Sequence, residues 1–273
     1  MGLGLELVAG QATAPSTTFT ALTMNAGNTA TIRSARMDAR VLLLSAWADV
    51  QGAGQFRIRS PRLHDNLQGI RLDTVVSDVK PLLPLPFRQP LIPQDPLTLE
   101  LTGSATGGDI ESAALLIWYE DLFGVEAKLL THMAVLERMV HLVTSENTIS
   151  TGTAGGYSGE EAINAEIDTL KANTDYALLG YLADAECLAV RWRGTDTGNL
   201  GVGGPGDDAG RDYTRDWFQR LSRAFDLPLI PSFNAANKDN VLVDAHQDEN
   251  GTDVTVTTIL AELAPTPLRT LGR

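Results

Sequence analysis

Cysteine is all but missing from this chain, lysine is scarce, and aromatic residues make up only 6% of it. The single thiol, Cys187, excludes an intramolecular disulfide, so any core has to be held by apolar packing. It lies in an apolar, strand-like run with no Cys-His pattern nearby, which reads as a small buried hydrophobe and not a nucleophile. Lysine occurs only at Lys80, Lys128, Lys171 and Lys238, leaving arginine, the better residue for planar multi-partner contacts, to carry the positive charge. Basic side chains number 21 against 34 acidic ones, and the net charge of −13 excludes attraction of the whole surface to DNA or anionic lipid. No apolar run is long enough to span a bilayer. The start, Met1 to Glu6, has neither the basic and apolar regions of a signal peptide nor the hydroxyl residue that a myristoylation site carries at position 6. The expectation is a soluble product of a reducing compartment.

Signatures of chemistry are equally thin. Gly201-Val202-Gly203-Gly204-Pro205-Gly206 matches the dinucleotide pattern G-x-G-x-x-G, but its mechanism needs a helix opening on the last glycine to face the pyrophosphate. Here Asp207 and Asp208 follow, and the run reads as a flexible surface loop. Gly156-Tyr157-Ser158-Gly159 misses the spacing of a nucleophile elbow. His64, His132, His141 and His246 are scattered and form no metal-binding pair. No catalytic, cofactor or metal residues are nominated. Asp196, Asp207, Asp208, Asp248, Glu249 and Asp253 sit in acidic turns whose oxygens suit a structural Ca²⁺, without the spacing of an EF-hand.

What the chain does have is β patterning. In the first 120 or so residues, candidate strands at 3–8, 17–23, 28–33, 40–48, 55–60, 69–75, 97–102 and 111–119 are separated by Gly- and Asn-rich turns. The run from Val41 to Trp47 is nearly all apolar and predicts a strand buried on both faces. Leu129, Met133, Leu136, Val140 and Val143 recur at helical spacing and predict a bridging helix over 127–143. Ser158 and Glu161 form a capping-box pattern for a helix over 162–170. Strands resume at 176–182, 185–193, 241–245 and 254–260, interrupted by a helix that Thr214 caps and that carries the stripe Trp217, Phe218, Leu221, Ala224 and Phe225.

Two signposts occur twice in the same order. Arg57-Ile58-Arg59 precedes Pro90-Leu91-Ile92-Pro93, and Arg191-Trp192-Arg193 precedes Pro228-Leu229-Ile230-Pro231. After each PLIP come a polar spacer, a short β run, an acidic turn and a longer β run, the order of a duplicated β unit. The interval before PLIP differs: Pro81, Pro84 and Pro86 in the first half rule out the helix of the second. The densest basic cluster is Arg57, Arg59, Arg62 and Arg71. Arg57 and Arg59 share a strand face, where they need acidic partners, and the cluster is the candidate intersubunit contact.

Two tandem barrels, a bridging helix and a helix-bearing loop in one barrel resemble the double jelly-roll major capsid proteins of icosahedral viruses. The resemblance is architectural, covers most of the chain and rests on no diagnostic motif. The fold expected is all-β, two tandem jelly-roll barrels with a few short helices, divided as 1–125 (first barrel), 126–156 (bridging helix and linker) and 157–273 (second barrel, inserted helix near 214–225). The resemblance implies a non-enzymatic virion protein, the major capsid subunit, made in the host cytoplasm and assembling as trimers, as in a bacteriophage shell. Its implied partners are further copies, other virion proteins and an underlying membrane, with no sequence-specific nucleic-acid binding and no cofactor beyond the Ca²⁺ the acidic turns admit. Other readings are another phage structural protein, a carbohydrate-binding or adhesion sandwich using Trp118, Trp192 and Trp217, and a glycosidase with paired carboxylates.

Overall fold

The alternating runs of the first half become strands β1 (Gly4–Thr13), β2 (Thr20–Ala21), β3 (Thr23–Met24), β4 (Val41–Asp49), β5 (Gln55–Arg59), β6 (Ile70–Asp73), β7 (Gln89–Leu91), β8 (Thr98–Leu101) and β9 (Ile110–Tyr119) in a computed structural model. The structure describes residues 2–25, 27–63, 65–76, 79–150, 152–163, 170–185, 187–206, 213–247 and 253–265. The second half supplies β10 (Leu129–Leu130), α1 (His132–Arg138), β11 (Met139–Ile149), β12 (Glu161–Ala162), β13 (Asp175–Ala183), β14 (Cys187–Arg193), β15 (Val202–Pro205), α2 (Trp217–Phe225), β16 (Ile230–Asn234), β17 (Leu242–Gln247) and β18 (Val254–Leu263).

These strands form four antiparallel sheets. Sheet I has the order β3-β1-β9-β4-β7, sheet II β2-β8-β5-β6, sheet III β10-β16-β13-β18-β11 and sheet IV β12-β17-β14-β15. Setting β3 and β10 aside and numbering the remaining strands of each half in chain order, sheets I and III both read 1-8-3-6, and sheets II and IV both read 2-7-4-5. That is the interleaving of a jelly roll, in which a long double hairpin folds over so that alternate strands fall in facing sheets. The protein is therefore two jelly rolls. The likeness extends to an irregularity: the third strand slips register against the eighth between Leu43 and Ser45 in the first barrel and between Leu178 and Gly180 in the second.

Strand β4 explains how the barrels are joined. All nine of its residues are buried. Val41, Leu43, Ala46 and Ala48 point into the first barrel's own core with Phe56, Ile58, Leu99, Leu101, Leu115 and Ile117. Leu42, Leu44 and Trp47 point the other way and join the second barrel's core, as do Leu5, Leu7, Ala9, Leu116 and Trp118 from the same face of sheet I. Trp47 is fully buried there, its indole N–H donating to Leu188 O at 2.7 Å and its ring meeting Trp217 edge-on at 6.2 Å. Sheet I thus packs its outer face on sheet IV, and Leu7 N donates across the junction to Gly201 O at 2.7 Å.

Several sequence expectations change. The helix expected over 127–143 is confined to α1, which Thr131 caps by accepting from Ala134 N at 3.2 Å. From Met139 onward the chain is β11, held along β18 from Met139↔Leu263 to Ile149↔Val254. Val140, Val143 and Thr144 are β-branched, and a long partner strand outweighs helical spacing that buries little, since Met133, Leu136 and Val140 stay exposed. The segment read as a linker therefore contains the first strand of the second barrel. Glu161 and Ala162, expected to open a helix, form β12 against Val243 and Leu242; the rest of that expectation, 164–169, lies outside the described residues. The expected strand at 28–33 is an irregular segment with an isolated bridge, Thr31 to Pro96. Helix α2 does bury Trp217, Phe218, Leu221 and Phe225, but its N-cap is Asp216 and not Thr214, whose carbonyl instead accepts from Trp217 N and Tyr181 N.

Candidate functional site: the repeated arginine clusters

Both R-x-R signposts lie on the fourth strand of their barrel. Alternation sends Ile58 and Trp192 inward and the flanking arginines outward, where the seventh strand meets them with an acid. Arg57 stands directly opposite Glu100 on β8, and Arg191 directly opposite Asp244 on β17. In the first barrel, Glu100 accepts from Arg57 Nε at 2.7 Å and from Arg59 Nε and Nη2, each at 2.8 Å. In the second, Arg191 grips Asp244 with two bonds of 2.9 and 2.6 Å, and Arg193 lies 3.5 Å from the same carboxylate. An aromatic ring from the segment before the second strand completes each group: Phe19 lies 3.7 Å from the Arg57 guanidinium and Tyr157 3.4 Å from that of Arg191. Arginine, acid and ring at equivalent places in both barrels extend the duplication from strand order to side chains.

Electrostatics follow from the pairing. Burial pushes the Glu100 carboxyl up, but the hydrogen bonds and charges of Arg59 and Arg57 outweigh it and hold it below the ordinary carboxylate range. Burial likewise works against the charge on Arg191, and the bond to Asp244 reverses the balance. Burial raises the Tyr157 hydroxyl.

The two groups differ in what covers them. Over the second, the first barrel contributes Asn25, whose amide N–H donates to Gly155 O at 2.8 Å. That bond fixes the amide, so Asn25 Oδ1 accepts from His246 Nε2 at 3.0 Å. Neutral His246 then carries its lone pair on Nδ1, which is buried without a partner. Burial, with Arg191 as the second cause, pushes the imidazole down to about 3. A recess of ≈550 Å³ opens beside Asn25, Tyr157, Arg191, Arg193 and Asp244. Over the first group no equivalent cover exists among the described residues. Arg71, directly beside Arg57 on β6, is exposed, lies over Phe19 at 5.4 Å and hydrogen-bonds Gln68. Of the four arginines nominated from sequence, Arg57, Arg59 and Arg71 share this face; Arg62 is exposed in the turn after β5, its N–H donating to Ser60 Oγ at 3.1 Å.

The glycine run explains the difference. It is no surface loop: Val202 to Pro205 form the buried strand β15. Gly203 pairs with Arg191 as Arg71 pairs with Arg57, so the two positions are equivalent. A Cβ on Gly203 would meet Val190 O at 2.3 Å and Leu7 Cδ2 at 2.8 Å, and glycine is what lets the first barrel close on sheet IV. Cys187, fully buried next to Gly206, fills the neighbouring space. Sequence could show the glycines but not that another barrel approaches them.

Other nominated chemistry is occupied or elsewhere. Trp118, Trp192 and Trp217 are at most 1% exposed, so they present no shallow aromatic face for a glycan. Two of the buried carboxylates are held in structural contacts: Glu6 binds Arg33 and Tyr119, and Glu111 accepts from the backbone N–H groups of Gln51, Gly52 and Ser104. Asp196 holds Lys128 and the Asn234 N–H, Asp253 is exposed, and Asp207, Asp208, Asp248 and Glu249 lie outside the described residues, as does His64. Among the described residues no three His, Cys, Asp or Glu side chains gather to hold a metal.

No family model matches the chain, and no curated protein matches it. Among solved structures it is similar to the crystal structure of the STIV MCP, a major capsid protein, at 10% identity and a TM-score of 0.24 over 97% of this chain and 98% of that one. The jelly-roll assignment rests on strand order, register and the repeated bulge of the chain itself.

Proposed function

We propose that the chain is a virion structural protein, the major capsid subunit, which self-assembles through trimers into an icosahedral shell. One observation carries the reading. The two barrels are joined head to tail, the outer face of sheet I on the outer face of sheet IV, and not by like faces about a two-fold axis. A heterologous contact of this kind leaves one half of each complementary surface free and, repeated between chains, builds rings or extended arrays. Three chains would place six similar barrels around one axis. Closed sandwiches suit such a role because they offer few bare strand edges at high local concentration. On this reading the protein resides in the virion, acts without catalysis or a cofactor, and takes other copies, further virion proteins and an underlying membrane as partners. A net charge of −13 keeps free subunits soluble and disfavours direct, sequence-specific contact with the genome.

Native mass spectrometry and negative-stain imaging of concentrated wild-type protein test the reading. Trimers, with rings or shells at higher concentration, are the expected result. A strict monomer at every concentration and salt would refute it.

A further inference from the structure

The internal junction carries a register, and that register can be transferred to the faces left open. Sheets I and III share strand order and bulge, so each outward residue of one has a counterpart in the other. Trp47 pairs with Ala114 as Leu182 pairs with Thr257, and Ser45 with Leu116 as Gly180 with Ile259. On the first strand this equates Leu7, opposite Leu116, with Thr144, opposite Ile259. It equates Ala9, opposite Ala114, with Glu146, opposite Thr257. On the other side of the junction Gly203 is equated with Arg71.

Inside the chain, Leu7 packs on Gly203 with Ala9 one outward position along. The same contact between the open faces sets Thr144 against Arg71, with Glu146 next to it. Arg71 and Glu146 are both exposed, carry opposite charge, and among the described residues neither has an oppositely charged partner. Sheet II is a locally basic face on an acidic protein, with Arg57, Arg59 and Arg71 against Glu100 and Asp73. The outer face of sheet III carries Leu142, Thr144 and Glu146, all exposed, and a recess of ≈410 Å³ lined by Glu146, Leu182, Asp184, Arg215 and Thr255.

We propose that a second copy of this chain docks the outer face of its sheet III on the outer face of sheet II, with its Glu146 against Arg71. This rests on the self-assembly reading and specifies the surface that performs it. The contact repeats the register of the internal junction with Leu7 and Ala9 exchanged for Thr144 and Glu146, while Leu142 and Leu182 keep apolar side chains at the places of Leu5 and Trp47. Such an exchange suits subunits that must stay soluble apart, because polar faces cost little to expose and complementary charge sets register and speeds encounter.

Charge reversal tests it. Arg71→Glu and Glu146→Arg should each weaken trimer formation roughly tenfold, and the double variant should restore most of the loss, as a complementary pair does when its signs are exchanged. Far-UV circular dichroism and melting of each variant establish that the monomer is folded. As a second measurement, Arg71→Cys chains mixed with Glu146→Cys chains should yield a disulfide-linked pair under mild oxidation that neither variant gives alone. A wild type that assembles while the single reversals assemble equally well, or a double variant without rescue and no cross-link, overturns the proposed surface and leaves self-assembly standing. A wild type that never associates overturns both.

Discussion

Sheets II and IV occupy the same place in their barrels and carry the same kind of arginine–acid–aromatic group, yet the group on sheet IV is the more deeply covered of the two. On sheet IV the Arg191 and Asp244 side chains are 5% and 2% exposed; on sheet II Arg57 and Glu100 are 13% and 8% exposed. Gly203 admits Leu7 and with it the apolar face of sheet I, whereas Arg71 stands exposed at the equivalent position on sheet II. The two groups are alike in strand position and residue type, and the most conspicuous difference between them is the residue beside the central arginine, Gly203 in one and Arg71 in the other.

The comparison breaks first at Trp47, one of two tryptophans that sheet I contributes to the shared core. Trp47→Ala removes a fully buried indole, its bond to Leu188 O and its contact with Trp217, and should cost about 3–5 kcal/mol in denaturant unfolding. A loss below about 1 kcal/mol would mean that the barrels do not share a core. The two carboxylates sharpen the contrast. Asp244→Ala strands Arg191 in a buried site and should cost about 3–5 kcal/mol, as breaking one side of a buried pair does. Glu100→Ala leaves Arg57 and Arg59 able to reach water and should cost about 1–3 kcal/mol. Equal losses would show that cover by the first barrel is irrelevant to the group.

Much of this was legible in the residues. Both R-x-R motifs fall on fourth strands and both PLIP motifs at sixth strands, β7 and β16, so the order of signposts reported real topology. Alternation was enough to place Arg57 and Arg59 on one face in need of an acid. The identity of that acid was not legible, because Glu100 and Asp244 are brought in by strands more than forty residues away. Nor could local pattern separate helix from strand at Met139 to Thr144, where the spacing suits a helix and β18 settles the outcome from over a hundred residues downstream. The glycines of β15 failed for a third reason. A glycine run signals equally that the chain is free or that something comes close, and only the packed first barrel distinguishes them.

The cover over sheet IV should also be acid-sensitive. His246 is pushed down to about 3 when folded, from an ordinary value of 6.5. The unfolded chain therefore binds the extra proton more readily through that window, and stability present above pH 6.5 is lost as pH falls toward 3. The slope should be at most about 1.4 kcal/mol per pH unit, so roughly 2 kcal/mol is lost by pH 5. His246→Gln keeps a donor for Asn25 and should flatten the unfolding profile between pH 6.5 and 5. Parallel profiles for variant and wild type would place the acid sensitivity elsewhere.

The smallest effect expected is at Arg62, and it separates two explanations of the open face. If sheet II attracts a neighbour merely by being basic, each exposed arginine in the cluster contributes, and Arg62→Ala should weaken association nearly as much as neutralising Arg71. If contact is set by register, only an arginine equivalent to a junction residue counts. Arg62 lies in the turn after β5, off the strand face, and its only contact among those described is through its own backbone N–H to Ser60. Arg62→Ala should then leave both stability, within about 0.5 kcal/mol, and trimer formation unchanged. Arg71→Ala, compared with it by native mass spectrometry, should weaken association several-fold, since it removes one partner of a complementary pair. Equal responses from the two variants would mean that the open face works by charge alone and that its likeness to the closed one is ancestry without mechanism.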